Sequence, residues 1–194
     1  MENFWFYLQM GLDHVLDLNA YDHILFLSAL AIPFTFKDWK KVLLLATVFT
    51  VAHCLSLAMS VYDLVIMDVA LIEFLIPITI LFTALFNLWY AINSLENKNT
   101  GIHLFATAFF GLIHGFGFSN YFKMLMAEEE QKLMPLLGFA TGIELSQVFI
   151  ILFVLLISYL IQSMAKVRVP LFIGVASILI IAIVIPMLVE TYPW

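Results

Sequence analysis

The sequence predicts an all-α fold: a polytopic integral membrane bundle of about six transmembrane helices, preceded by a short N-terminal interfacial helix. Three observations predict it. Of 194 residues, 64% are hydrophobic and only 11% charged, against about 45–50% and about 25% in soluble chains. Apolar runs of roughly 20 residues, the length that crosses a hydrocarbon core, recur along the chain. Lys and Arg gather on alternate connections between those runs. A water-soluble fold of this size has nowhere to hide so much apolar surface, so a lipid bilayer is the expected partner. Nucleic acid is not, because the eight Lys and Arg are scattered and form no basic patch.

The spans follow from apolar length. They are expected at residues 19–36, 42–60, 69–94, 101–122, 133–163 and 169–189. The fifth is longer than a bilayer needs, so it tilts or projects. Residues 4–16 precede the first span, and Trp5 and Tyr7 suit a membrane interface. The whole chain, 1–194, reads as one transmembrane domain. The N-terminus lacks the basic region of a cleaved signal, so the first hydrophobic helix is expected to direct insertion. Cys54 is the single cysteine, which excludes an intrachain disulfide and a multi-cysteine metal site.

Orientation follows from the cations. Lys37, Lys40, Lys41, Lys98, Lys166 and Arg168 fall on one side if the spans alternate. The other side receives Asp63, Asp68 and Glu128 to Glu130, with Lys123 and Lys132. Both termini are therefore expected outside the cytoplasm, in the bacterial cytoplasmic (inner) membrane.

Ionisable groups in lipid are costly and mark function when they converge. His23, His53, Glu73, His114 and Glu144 sit on five different spans, about 6 to 16 Å below the outer surface at 1.5 Å per residue. Thr47, Thr50, His53, Ser56 and Ser60 form a polar stripe on the second span, and Thr141, Glu144 and Gln147 a shorter one on the fifth. Glu73, Pro77 and Asn87 share a face of the third, where Pro77 frees backbone carbonyls. Gly111-x-x-x-Gly115 and Gly138-x-x-x-Gly142 are small-residue spacings expected to bring spans four and five together, and with them His114 and Glu144. The sixth span, nearly without polar residues, is expected at the periphery.

Neutral imidazoles and carboxylates together are ligands for zinc, nickel, cobalt or related divalent ions. The expected ligands are His23, His53, His114 and Glu144, with Glu73, Asp22 and His14 as further donors and Gln147 orienting Glu144. Blander readings stand beside these. Single histidines also bridge helices, and Glu73 and Glu144 also serve as neutral structural groups. Asn19 and Asp22 have the spacing of a helix cap. His14 with Asp17 reads equally as a surface pair or a capture point. His103, about 16 Å from His114 along the same span, is either interfacial or a waypoint for an ion.

The motifs resemble those of the HupE/UreJ family of hydrogenase and urease accessory membrane proteins. Gly11-Leu-Asp-His14 and Tyr21-Asp22-His23-Ile-Leu-Phe-Leu27 resemble its opening motif. Phe49-Thr50-Val-Ala-His53-Cys-Leu-Ser-Leu57 resembles its second, with Cys54 where Ser is common. Glu73 through Asn87, Gly111-Leu-Ile-His114-Gly-Phe-Gly-Phe118 and Gly142-Ile-Glu144-Leu-Ser-Gln147 resemble the next three. The resemblance implies a permease for a divalent metal, nickel above all, that supplies metalloenzyme-assembly proteins. It carries the site onto His14, Asp22, His23, His53, Glu73, His114, Glu144 and Gln147. A homo-oligomer is compatible with this reading. Two other functions are open to the same residues: an intramembrane zinc-type hydrolase, with Glu144 or Glu73 as general base, and a structural subunit whose polar core only fixes helix packing.

Overall fold

The computed structural model describes residues 2–93 and 100–193. Ser94 and Lys98, assigned above to the end of the third span and its loop, lie outside them. Seven α-helices follow one another: α1 (Glu2–Leu16), α2 (Asp22–Ala31), α3 (Trp39–Val61), α4 (Val69–Asn93), α5 (Thr100–Leu125), α6 (Leu133–Met164) and α7 (Val169–Glu190). No strand occurs among the described residues. Five helices are long and apolar enough to cross a membrane, namely α3 to α7. At 32 residues, α6 extends about 48 Å, well beyond a hydrocarbon core of about 30 Å.

The expected first span, 19–36, is not one helix. Helix α2 has ten residues and covers about 15 Å, half of a crossing. It ends just before Pro33, which has no N–H to donate to the Ala29 carbonyl, while Ile32 itself is still helical at φ −50° and ψ −42°. Its freed Ala29 carbonyl accepts a 2.7 Å hydrogen bond from Asn87 Nδ2 of α4, which satisfies one of the orphan acceptors of a helix C-terminus. Helix α1 precedes it along the same side of α6. Phe4, Leu8 and Leu12 of α1 lie against Gly138, Gly142 and Ser146 of α6. Leu18, Ile24 and Ser28 then share a groove with Phe149, Phe153 and Ile157 of the same helix. Residue numbers rise together on both sides, so α1 and α2 run in the direction of α6, interrupted between them. The segment expected at the interface is thus packed lengthwise in the bundle, with Tyr7 and Val15 buried and Trp5 exposed. The Tyr7 hydroxyl reaches the Leu125 carbonyl and Glu129, which ties α1 to the α5–α6 connection.

Glycine decides two of the contacts. A Cβ on Gly142 would stand 2.1 Å from the Leu8 carbonyl oxygen, and one on Gly115 would stand 2.3 Å from that of His53. No side chain fits there, so the backbones of α6 and α1, and of α5 and α3, meet directly. The small-residue spacings are used as close-approach sites, but not between α5 and α6: Gly111 and Gly115 face α3, and Gly138 and Gly142 face α1. Each glycine pair selects a different partner helix, which the spacing alone does not name.

Charge separates the ends. Asp63, Asp68, Glu129, Glu130 and Glu190 lie with Lys123 and Lys132 where α3 ends and α4 begins; Lys37, Lys40, Lys41, Lys166 and Arg168 lie at the opposite end. We call these the acidic and basic ends. Both cations of the acidic end are engaged: Lys123 pairs with Asp63, and Lys132 donates to the Val61 carbonyl at 3.2 Å. The hydrogen bond and charge of Lys123 hold the Asp63 carboxyl below the usual carboxylate range.

Candidate metal centre

Three helices deliver three imidazoles to one point. His14 stands two residues from the end of α1, His23 one residue into α2, and His53 in α3. The break between α1 and α2 is what allows His14 and His23 to meet: two residues nine apart on one continuous helix would lie about 13 Å apart along its axis. Their rings are 4.6 Å apart, centre to centre, and His53 lies 5.7 Å from each. One nitrogen from each of the three falls within 4.8 Å of the others. His114 of α5 borders the trio, its ring 5.4 Å from His23. His23, His53 and His114 are buried, and His14 is half-buried.

The hydrogen bonds leave one face of these rings free. His23 Nδ1 lies 3.3 Å from Asp22 Oδ1, and His114 Nδ1 lies 2.9 Å from the Phe110 carbonyl. The Phe110 carbonyl can only accept, so Nδ1–H of His114 donates and its Nε2 carries the lone pair; an ionised Asp22 sets the same tautomer on His23. The Nε2 atoms of His14, His23, His53 and His114 are buried without a hydrogen-bond partner among the described residues, as is Nδ1 of His53. Buried polar groups are rarely left so. A carboxylate behind an imidazole is the usual way of fixing a metal-binding tautomer. Asp22 therefore stands behind His23. Asn19 does not cap α2; its backbone and side-chain nitrogens donate to Asp17.

A cavity of about 360 Å³ opens onto the cluster. His14, His23 and His114 line its floor, with Asp22 beside them, and the exposed Glu73 and Glu190 stand on its walls toward the acidic end. Pro77 of α4 lines it too, and its missing N–H removes the usual helical partner of the Glu73 carbonyl. Glu190 was not singled out from the sequence, because α7 carries no motif. Its position in the last turn, on the side where the other carboxylates gather, was the available signal.

Two expected members stand elsewhere. Glu144 of α6 accepts 2.6 Å hydrogen bonds from the Thr47 and Thr50 hydroxyls of α3, one on each oxygen. It is not joined to the histidine set. Gln147 is fully buried, and neither of its polar side-chain atoms has a partner among the described residues; nothing in the geometry links it to Glu144. His103 lines a different cavity, nearer the basic end. Cys54 remains a free thiol outside the cluster.

The donor set fits a divalent transition metal. Nitrogen ligands about 2.0–2.1 Å from a tetrahedral ion are about 3.3–3.4 Å apart, so nitrogens within 4.8 Å of one another close by at most about 1.5 Å around it. Imidazole selects zinc, nickel, copper or iron over magnesium and calcium. Asp22, Glu73 and Glu190 supply negative charge near the site. Neither a curated protein nor a solved structure matches the chain. The family described as HupE / UreJ protein matches residues 1–191, from the first turn of α1 to just past the end of α7. With that match over nearly its whole length, and with the ordered His and carboxylate motifs now placed in the fold, the chain belongs to the HupE/UreJ family.

Proposed function

We propose that the protein is a permease for a divalent transition-metal ion, nickel by family association. The ion enters from the acidic end, which faces away from the cytoplasm of a bacterial inner membrane. It passes Glu73 and Glu190 and is held by His14, His23 and His53, with His114 as the fourth imidazole. Asp22 fixes the His23 tautomer. Metalloenzyme-assembly proteins receive the ion on the basic side. One observation carries this reading: three imidazole nitrogens within 4.8 Å of one another beside an open, carboxylate-bearing cavity.

The test is metal content of purified protein after loading with nickel or zinc, wild type beside His23→Ala and His53→Ala. One ion per chain, lost in both variants while helicity is kept, supports the centre. An intact wild type that takes up no ion overturns it.

The cavity also favours a second reading, an intramembrane metal-dependent hydrolase. Three imidazoles leave a coordination position open, and Glu73 lies in the same cavity as a carboxylate outside the trio, the place of a general base. Glu144, held by two threonines, does not suit that role. Ester hydrolysis lost in Glu73→Gln with the metal retained would move the assignment to this reading.

A further inference from the structure

The groove that α2 shares with α6 has a third wall. Phe172 and Ala176, near the start of α7, stand with Ile24 and Ser28 of α2 around a space of about 510 Å³. It forms where the chain offers a ten-residue helix in place of a full crossing. On α6 it runs from Phe149 to Ser158, nine residues or about 14 Å. That is the depth of one leaflet in a hydrocarbon core of about 30 Å. Leu16 and Leu18, at the break between α1 and α2, belong to its inner end. Its other end points to the basic end of the molecule, where α6 finishes and α7 begins. Phe149 and Phe153 are 64% and 54% exposed, so the groove opens sideways, toward the hydrocarbon of a bilayer.

Polar groups appear only as the groove nears the basic end. Ser158 lines it six residues before the end of α6, and its buried Oγ has no hydrogen-bond partner among the described residues. Such groups are rarely left bare, least of all in hydrocarbon. Beyond Ser158 the connection from α6 to α7 carries Lys166 and Arg168, both exposed. Other cations of this end are engaged: Lys41 pairs with Asp38, and Lys40 lies over the Trp39 ring. Lys166 and Arg168 form no ion pair among the described residues. Arg168 also begins α7 without a side-chain cap, which leaves the first N–H groups of that helix to an anion.

The sequence of surfaces is thus an apolar trough one leaflet deep, then a hydroxyl, then two cations. A phospholipid presents the matching order: acyl chain, ester carbonyl, phosphate. A second copy of the chain does not match. Copies in one membrane, related by an axis along the bilayer normal, bring their basic ends together, so cations would meet cations.

We propose that this groove binds an anionic phospholipid of the leaflet at the basic end. One acyl chain lies along α6 from Phe149 to Ser158. The Ser158 hydroxyl donates to the ester carbonyl, and the headgroup rests against Lys166, Arg168 and the start of α7. Cations at a membrane surface favour a net negative headgroup over a zwitterionic one. The assignment stands apart from the metal centre and does not depend on it.

The test is native mass spectrometry of the full chain in detergent, with phosphatidylglycerol or phosphatidylcholine of equal chain length added. Wild type is expected to hold one phosphatidylglycerol per chain, at least tenfold more tightly than phosphatidylcholine. Lys166→Gln with Arg168→Gln is expected to weaken phosphatidylglycerol roughly 30-fold, about 2 kcal/mol for two cations, and to erase the preference. Ile157→Trp fills the groove and is expected to remove both lipids. Ile157 is already 39% exposed, so this exchange spares the core, and a wild-type melting temperature verifies that. Equal retention of the two lipids by wild type overturns the proposal, and so does full retention of phosphatidylglycerol by either variant. A two-chain species that Ile157→Trp abolishes, with no lipid on wild type, gives the groove to a second copy instead.

Discussion

Asp22 and Glu144 are both carboxylates inside the bundle, and their neighbours give them different work. Asp22 touches His23, so Asp22→Asn replaces the charged acceptor that orients a ligand with a neutral amide, which can also present an N–H to the ring. Its expected effect is a loss of about 10–100-fold in metal affinity, read by competition titration against a chelator. Glu144 touches Thr47 and Thr50 and, among the described residues, hydrogen-bonds no histidine. Glu144→Gln is therefore expected to keep full metal content while His53→Ala abolishes it; a parallel loss in Glu144→Gln would place that carboxylate in the centre after all. Sequence made His23, His53 and His114 legible, because depth along a helix can be counted at 1.5 Å per residue. It left Glu144 in the same set because equal depth says nothing about which way a side chain faces across the bundle. His14 was hard to weigh for the opposite reason: its depth depended on a helix whose insertion the sequence did not disclose.

At the scale of the element, the break between α1 and α2 carries the site. A continuous helix would have sent His14 and His23 to different depths. Holding α1 in place falls to Gly11, Gly138 and Gly142, where backbones touch. Gly142→Leu puts a side chain against the Leu8 carbonyl and moves α1, with His14, away from α6. The cost of such overpacking is about 1–3 kcal/mol, and the expected readout is a lower melting temperature in detergent together with weakened metal binding. A large drop in melting temperature with metal affinity intact would mean that His14 does not belong to the ligand set. Helix α6 offers a gain instead. Lys166 follows its last turn at φ 52°, a left-handed position that glycine fills without a Cβ penalty. Lys166→Gly is expected to stabilise by about 1 kcal/mol, seen as a higher melting temperature. Helices α3 to α7 were legible from apolar length alone. The interrupted crossing was not, because its two halves are each shorter than the runs that hydropathy recognises. Partner choice of the glycine pairs was hidden for a related reason: a spacing marks where a backbone comes close, and the approaching helix is set by the topology of the whole bundle.

The whole molecule is polarised, and the polarity predicts a direction. Carboxylates and the mouth of the histidine cavity share one end, and most of the cations share the other. Of the cations at the acidic end, Lys123 is paired with Asp63 and Lys132 with the Val61 carbonyl, so neither adds much free positive charge there. Basic loops stay on the cytoplasmic side during insertion, whereas acidic ones weigh little. The acidic end is therefore expected outside and the cavity open to the exterior. Thiol labelling of intact cells checks this. In a Cys54→Ser background, Asp68→Cys reports the acidic end and Arg168→Cys the basic end. A membrane-impermeant maleimide is expected to label the first in intact cells and the second only after lysis. The reverse pattern would turn the cavity toward the cytoplasm. An ion admitted there by Glu73 and Glu190 would then be leaving the cell, so the same centre would serve export.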